Sequence, residues 1–285
     1  MNVSRREVLI SAAAVAVSAS GAVAAAPTAP AGPKGKAGFR QTICAWCFPK
    51  MSKDDLCQTA VKLGYQGIDL VTPEWFETLG KYNLTGTMLN THDIAKGINR
   101  KENWDECLGK IRAAIEAAAA KGFPNVICFS GNRRGMADDE GMKNCAAALK
   151  QVVGLAEEKK VTICMELLNS KVNHKDYMCD NTPWGVGLAK MVGSERFKLL
   201  YDIYHMQIDE GNVIATIRAN KEYIAHYHTA GVPGRNELNE NQELNYGGIM
   251  RAIAATGYKG WIGQEFQPKG DAVAALEQAF RICDV

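Results

Sequence analysis

From Gln41 to the C-terminus the chain repeats one alternation: a short β-rich run, then a polar or amphipathic stretch of helix length. The runs are QTICAW (41–46), GYQGIDLV (64–71), NLTGTML (83–89), NVICFS (125–130), VTICMELL (161–168), FKLLYDI (197–203), YIAHYHTA (223–230) and GWIGQEF (260–266). Between them lie helical segments such as KMSKDDLCQTAVKLG, the Ala/Ile-rich stretch 104–120, EGMKNCAAALKQVVGLAEEKK and DAVAALEQAFRI. Strands alternating with helices build a parallel sheet with right-handed crossovers. Eight such units match an α/β fold of one kind, a single (β/α)8 TIM barrel, which typically takes about 250 residues. An open doubly wound sheet would carry a glycine-rich phosphate loop after its first strand. Here that position reads WCFPKMS. The expected barrel domain is 38–285.

Residues 1–33 differ from the rest. MNVSRREVLISAAAVAVSASGAVAAAPTAPAGP has a charged start, a small-residue apolar middle and an A-x-A-like end at Ala22-Val23-Ala24. This is the pattern of an export signal, and Arg5-Arg6 followed by Val8-Leu9 gives it a twin-arginine character. The expectation is an exported, periplasmic protein with no stable membrane association once the signal is removed. Elsewhere no uncharged apolar run reaches the length of a membrane span. The formal net charge is +2, from 33 basic and 31 acidic residues, with no basic stripe, so nucleic acid is not an expected partner. Nine cysteines in an exported chain raise the question of disulfides. Cys128 and Cys164 sit inside apolar runs and read as small buried residues. Cys44-Ala45-Trp46-Cys47 is a lone C-x-x-C with no second pair to complete a zinc site.

In barrels of this kind the reactive groups come from the C-terminal ends of strands. The fifth run ends in Glu166, the sixth reaches Asp202 with His205 just beyond, the seventh carries His226 and His228 on one face, and the eighth ends in Glu265. Singly, each has a plain structural reading: a helix cap for a carboxylate, a satisfied core residue for a histidine. Together, three carboxylates around one axis repel unless protonated or neutralised by a cation. Glu166, Asp202, His228 and Glu265 form an O₃N set suited to Mn²⁺ or Mg²⁺, with Co²⁺ or Zn²⁺ as the softer alternatives. Trp46, His92 and Trp184 are candidates for a pocket wall. Lys171 and His174 follow Glu166 in a polar loop that either meets substrate or faces water. Asp209 and Glu210 are placed at the start of the helix after the sixth strand, where carboxylates favour the positive end.

MELLNSKVNHKDYMCD, LLYDIYHMQIDEGN, HYHTAGVPGRNELN and GQEF resemble segments of the hydroxypyruvate isomerase family, one of the xylose-isomerase-like barrels. The resemblance covers roughly residues 40–283. It implies that Glu166, Asp202, His228 and Glu265 hold a divalent metal, that Glu166 and Glu265 move protons, and that His205 and Arg235 hold a substrate oxygen. Hydroxypyruvate isomerases often have glutamine at the position of His228; histidine there is closer to the ketose 3-epimerases. The implied function is isomerisation or epimerisation of a small keto acid or keto sugar, and many members of the group are dimers or tetramers. A lyase or hydratase acting on 3-keto-glycosides would use the same proton abstraction. A non-catalytic sugar-binding barrel would lack one of the two glutamates, and an endonuclease of the same superfamily would need more histidines and a basic groove.

Overall fold

The computed structural model describes residue 36 and residues 38–285. The leader, and the export signal read in it, lie outside these residues. Each of the eight runs carries a strand: β1 Arg40–Cys44, β2 Gly67–Asp69, β3 Thr85–Gly86, β4 Asn125–Cys128, β5 Thr162–Glu166, β6 Phe197–Asp202, β7 Ile224–Thr229 and β8 Trp261–Gln264. All pair in parallel, in the order β3-β2-β1-β8-β7-β6-β5-β4. First and last strands are therefore neighbours. The two ends of the sheet meet at Leu89, whose N–H donates to the Asn125 carbonyl at 3.0 Å and whose carbonyl accepts from Ile127 N–H at 3.0 Å. The strands are buried almost throughout, as a parallel sheet covered by helices requires. The architecture is a TIM barrel.

The helices are α1 Lys53–Leu63, α2 Phe76–Lys81, α3 Trp104–Lys121, α4 Asp138–Leu149, α5 Val153–Lys159, α6 Thr182–Val192, α7 Ile203–Asp209, α8 Val213–Asn220, α9 Tyr246–Ala255 and α10 Ala272–Cys283. The stretch EGMKNCAAALKQVVGLAEEKK reads as one helix but folds as α4 and α5. The last turn of α4 tightens, with Val152 N–H bonding the Leu149 carbonyl at 3.0 Å, and the β-branched pair Val152-Val153 is buried at the break. Asp209 and Glu210 do not start a helix. Asp209 ends α7, and Glu210 reaches across to the first turn of α6, accepting from Thr182 N at 2.6 Å and Thr182 Oγ1 at 2.7 Å. Carboxylate and helix N-terminus do meet, but across the space between two units.

The loop after β3 packs on the loop after β4. A Cβ on Gly97 would lie 2.2 Å from Gly131 N and 2.3 Å from the Ser130 carbonyl carbon, both backbone atoms that cannot step aside. Gly97→Ala is therefore expected to destabilise the fold by roughly 2 kcal/mol or more. A thermal midpoint unchanged from that of the parent would refute the close approach.

Candidate active site

Register brings the strand-end groups to one level. Asp202 on β6 pairs with His228 on β7, His228 pairs with Gly263 on β8, and Glu265 follows two residues later. Glu166, at the end of β5, pairs with Leu200, two residues before Asp202. One ligand-capable atom from each of Glu166, Asp202, His228 and Glu265 lies within 4.8 Å of all the others, and all four residues are buried. His228 Nδ1 faces Glu265 Oε2 at 2.9 Å and Glu166 Oε1 at 3.3 Å.

Asp202 serves the cap and the cluster at once. Its Oδ1 accepts from His205 N at 3.1 Å as the N-cap of α7, while its Oδ2 has no hydrogen-bond partner. Glu166 Oε1 and His228 Nδ1 are likewise buried without one. A buried polar atom left unpaired costs about 1–3 kcal/mol. Three such atoms converging from three strands, all of them lone-pair donors once His228 Nδ1 is unprotonated, fit a divalent cation with hard and borderline ligands.

Arg235 enters from the loop after β7. Gly234 and Arg235 both adopt left-handed backbone, with φ of +90° and +58°, which turns the guanidinium inward. Its Nη2 lies 2.5 Å from Glu265 Oε2 and 3.5 Å from Asp202 Oδ2, and its Nη1 is 3.1 Å from His205 Nε2. The guanidinium sits between the rings of Trp46 and Tyr204, 5.1 Å and 5.3 Å from their centroids. Its interaction is thus with the site.

These contacts sort the charges. Glu265 stays well below the ordinary carboxylate range despite its burial, because Arg235 and His228 stand beside it. Glu166 is raised by burial, and Glu265 adds to the effect. Asp202 is pushed well up by burial, which outweighs the pull of Arg235. His205 is driven well down by burial and by Arg235, so its imidazole is neutral. A neutral imidazole has one acceptor nitrogen. Arg235 Nη1 at Nε2 and Asn169 Nδ2, 2.6 Å from Nδ1, therefore compete for it.

The other expected residues fall on both sides of the question. Trp46 follows β1, and its indole N–H donates to Glu265 Oε1 at 2.8 Å. It is 43% exposed, so it bridges the cluster and the outside. It also lines a cavity of about 480 Å³ with Phe48, Lys50, Met51 and Pro268. His92 lies against Phe129, with Nδ1 3.1 Å from the Asp93 carbonyl oxygen and Phe129 N–H donating to Nε2 at 3.4 Å; no contact with the cluster is seen. Trp184 is a packing residue whose indole N–H donates to the Asp138 carbonyl at 3.1 Å. The His174 ring lies 5.2 Å from that of His205, and Lys171 turns away to the carbonyls of Ile208 and Asp209. All nine cysteines are free and buried. Asp69, at the end of β2, is the group that the sequence reading passed over. Its carboxylate lies between His226 and His228. It is a strand-end carboxylate like the others, and extending the same reading from the last four strands to all eight would have found it.

A profile of the xylose isomerase-like TIM barrel family matches residues 57–283. The hydroxypyruvate isomerase of Escherichia coli (strain K12) is 26% identical over 237 residues, covering 77% of this chain and 89% of that protein. Among solved structures, an AP endonuclease, family 2, from Brucella melitensis has a TM-score of 0.74 at 21% identity, covering 84% of this chain and 97% of its own. The 3-keto-D-glucoside 4-epimerase of E. coli has a TM-score of 0.73 at 17% identity, covering 86% of this chain and 100% of its own. At such identities these two likenesses show the fold.

Proposed function

The chain belongs to the xylose isomerase-like TIM barrel family and is an isomerase, and from that premise we propose that it moves a proton α to the carbonyl of a small keto acid or keto sugar at a divalent-metal site. The observation that carries this reading is the convergence of Glu166, Asp202, His228 and Glu265, three of which point buried, unpartnered atoms at one spot. These four would hold the ion, with Mn²⁺ or Mg²⁺ best matched to the O₃N set. When bound, the ion supplies positive charge beside the oxygens of an enediolate.

The remaining chemistry belongs to the side chains. Glu166 and Glu265 are the pair that takes and returns the proton. Their environments push them apart, Glu166 towards the acid and Glu265 towards the carboxylate, the arrangement expected of two carboxyl groups in different roles. The charge of Arg235 keeps Glu265 ionised, so it suits the base. Arg235 can exchange its contact with His205 for a substrate carboxylate or hydroxyl, to which its planar fork is matched. Neutral His205 then offers one nitrogen to a substrate oxygen. Trp46 fixes Glu265 through the indole N–H. Trp46→Phe keeps an aromatic ring and loses that donor, and a hydrogen bond to a charged group is worth about 1.5–3 kcal/mol. Turnover should fall about tenfold or more with the fold intact; wild-type turnover would remove Trp46 from the machinery.

The cavity beside Trp46 favours a second reading of the substrate. At about 480 Å³ it leaves room for more than a three-carbon keto acid. Trp46 joins this cavity to Glu265, so the far part of a 3-keto-glycoside can extend into it while proton abstraction next to the ketone is followed by loss of the β substituent. We read residues 1–33 as a twin-arginine export leader, and a periplasmic enzyme would meet such glycosides.

One experiment addresses both readings. Protein stripped of metal and reloaded with Mn²⁺ is placed in D₂O with hydroxypyruvate, ketohexoses or 3-keto-glucosides, and deuterium uptake is followed by NMR. Metal-dependent exchange at one α carbon is the expected result, and the substrate that shows it names the class. Sugar binding without exchange in any of the three would replace the enzyme reading with that of a binding protein.

A further inference from the structure

Behind the cluster lies a second, deeper arrangement that the proton-transfer scheme does not use. Asp69 Oδ2 is 2.6 Å from His226 Nε2 and 3.0 Å from His228 Nε2. Its Oδ1 accepts from Thr87 Oγ1 at 2.9 Å and from Leu70 N at 3.2 Å. Asp69, His226 and His228 are wholly buried. At these separations the carboxylate oxygen accepts from both rings, so each imidazole presents N–H at Nε2. For His228 this choice has a consequence on the other side of the ring: Nδ1, the atom that faces Glu166 and Glu265, is the one left to offer a lone pair when a cation displaces its proton.

The surroundings make room for this pair. A Cβ on Gly263 would lie 2.7 Å from Asp69 Oδ2 and 2.8 Å from His228 Cδ2, so β8 carries glycine where the carboxylate and the ring pass. Cys44, paired in register with Asp69, lies 3.9 Å from Asp69 Oδ2 and 3.7 Å from His228 Nε2 through its sulfur. Separations of 2.6 and 3.0 Å between the ring nitrogens and the carboxylate are those of hydrogen bonds. The thiol, the carboxylate and the ring therefore form a support, with its oxygens already taken by donors, and not a second cation site.

We propose that Asp69 is a positioning residue: it fixes the Nε2–H tautomer of His228 and so aims Nδ1 at the metal position formed with Glu166, Asp202 and Glu265. The inference rests on the metal reading above and deepens it. A carboxylate behind a ligating histidine orients the ring and raises its basicity, and losing such a partner typically costs 10–100-fold in metal affinity. His226 is the second donor to the same oxygen, and it keeps Asp69 from rotating away.

The test compares unaltered protein with Asp69→Asn, which keeps the shape but turns an amide N–H₂ or a single acceptor towards two N–H groups. Mn²⁺ affinity is measured by titration calorimetry, and the fold is checked by circular dichroism. Asp69→Asn should bind Mn²⁺ about 10–100-fold more weakly. The second measurement is ¹⁵N NMR of the histidine rings in unaltered, Zn²⁺-loaded protein, where His228 should carry its proton on Nε2 alone. Affinity of Asp69→Asn within twofold of the parent overturns the positioning role. So does a Zn²⁺-loaded His228 protonated at Nδ1, and this measurement decides should Asp69→Asn fail to fold. Failure of the unaltered protein to bind either Mn²⁺ or Zn²⁺ overturns the metal reading itself, a separate outcome from an unchanged affinity in the variant.

Discussion

Glu166→Gln is expected to lower α-proton exchange by about 10²–10⁴-fold, the usual contribution of a positioned acid or base. Glutamine preserves the shape and one oxygen of the side chain but can neither release nor accept the proton. The same substitution at Glu265 should be as severe, with the added loss of the charge that Arg235 and His228 face. Since both residues are also candidate ligands, Mn²⁺ affinity has to be measured on each variant and exchange read at saturating metal. Stability gives an independent check on Glu166. Its pKa is raised in the fold, by burial first and then by Glu265, so in metal-free protein the side chain favours folding below the ordinary carboxylate range and loses that contribution as pH rises through its own raised pKa. At neutral pH the metal-free Glu166→Gln protein should therefore be at least as stable as its parent. Exchange within tenfold of the parent, in a protein so folded, would remove Glu166 from the reaction.

Removal of Arg235 carries the second large effect, and here the fold itself is at stake. The guanidinium touches Glu265 and faces Asp202 inside a buried cluster of three carboxyl groups. Breaking a buried ion pair from one side costs about 3–5 kcal/mol, because the remaining charge stays buried and uncompensated. Arg235→Met should show that loss in the metal-free protein. Adding Mn²⁺ should recover much of it, since a ligand bound only to the folded state stabilises it. Chemical denaturation with and without the ion measures both terms. A loss that Mn²⁺ leaves untouched would mean that ion and guanidinium do not answer the same carboxylates.

The barrel was legible because its strands are buried on both faces, so each appears as a nearly unbroken apolar run whose few polar residues stand out. Glu166, Asp202, His228 and Glu265 stood out in that way, and the structure gathers them. Their neighbours were harder to place. Residue spacing leaves open which way a side chain turns, so His92 and Trp184 looked as promising as Trp46, yet only Trp46 reaches the cluster. The roles of Asp209 and Glu210 depend on which helix end lies near them in space, which spacing along the chain does not encode. The break between α4 and α5 turns on two adjacent valines inside an otherwise regular amphipathic pattern. Asp202 was read as cap or ligand, two alternatives that its two separate oxygens reconcile.

The closure at Leu89 sets where this barrel yields. Elsewhere the strands pair directly, whereas the segment after β3 meets β4 at Leu89, reinforced by Asn125 Nδ2 at the Thr87 carbonyl, by Thr91 Oγ1 at the Ile127 carbonyl and by loops that rest on each other at Gly97 and Gly131. In the sheet order that junction lies opposite β7 and β8, and the reactive groups sit on β5 through β8 with their support on β1 and β2. Transient parting of the wall, which lets solvent reach a backbone amide, is expected first at this junction, where the fewest backbone bonds join neighbouring strands.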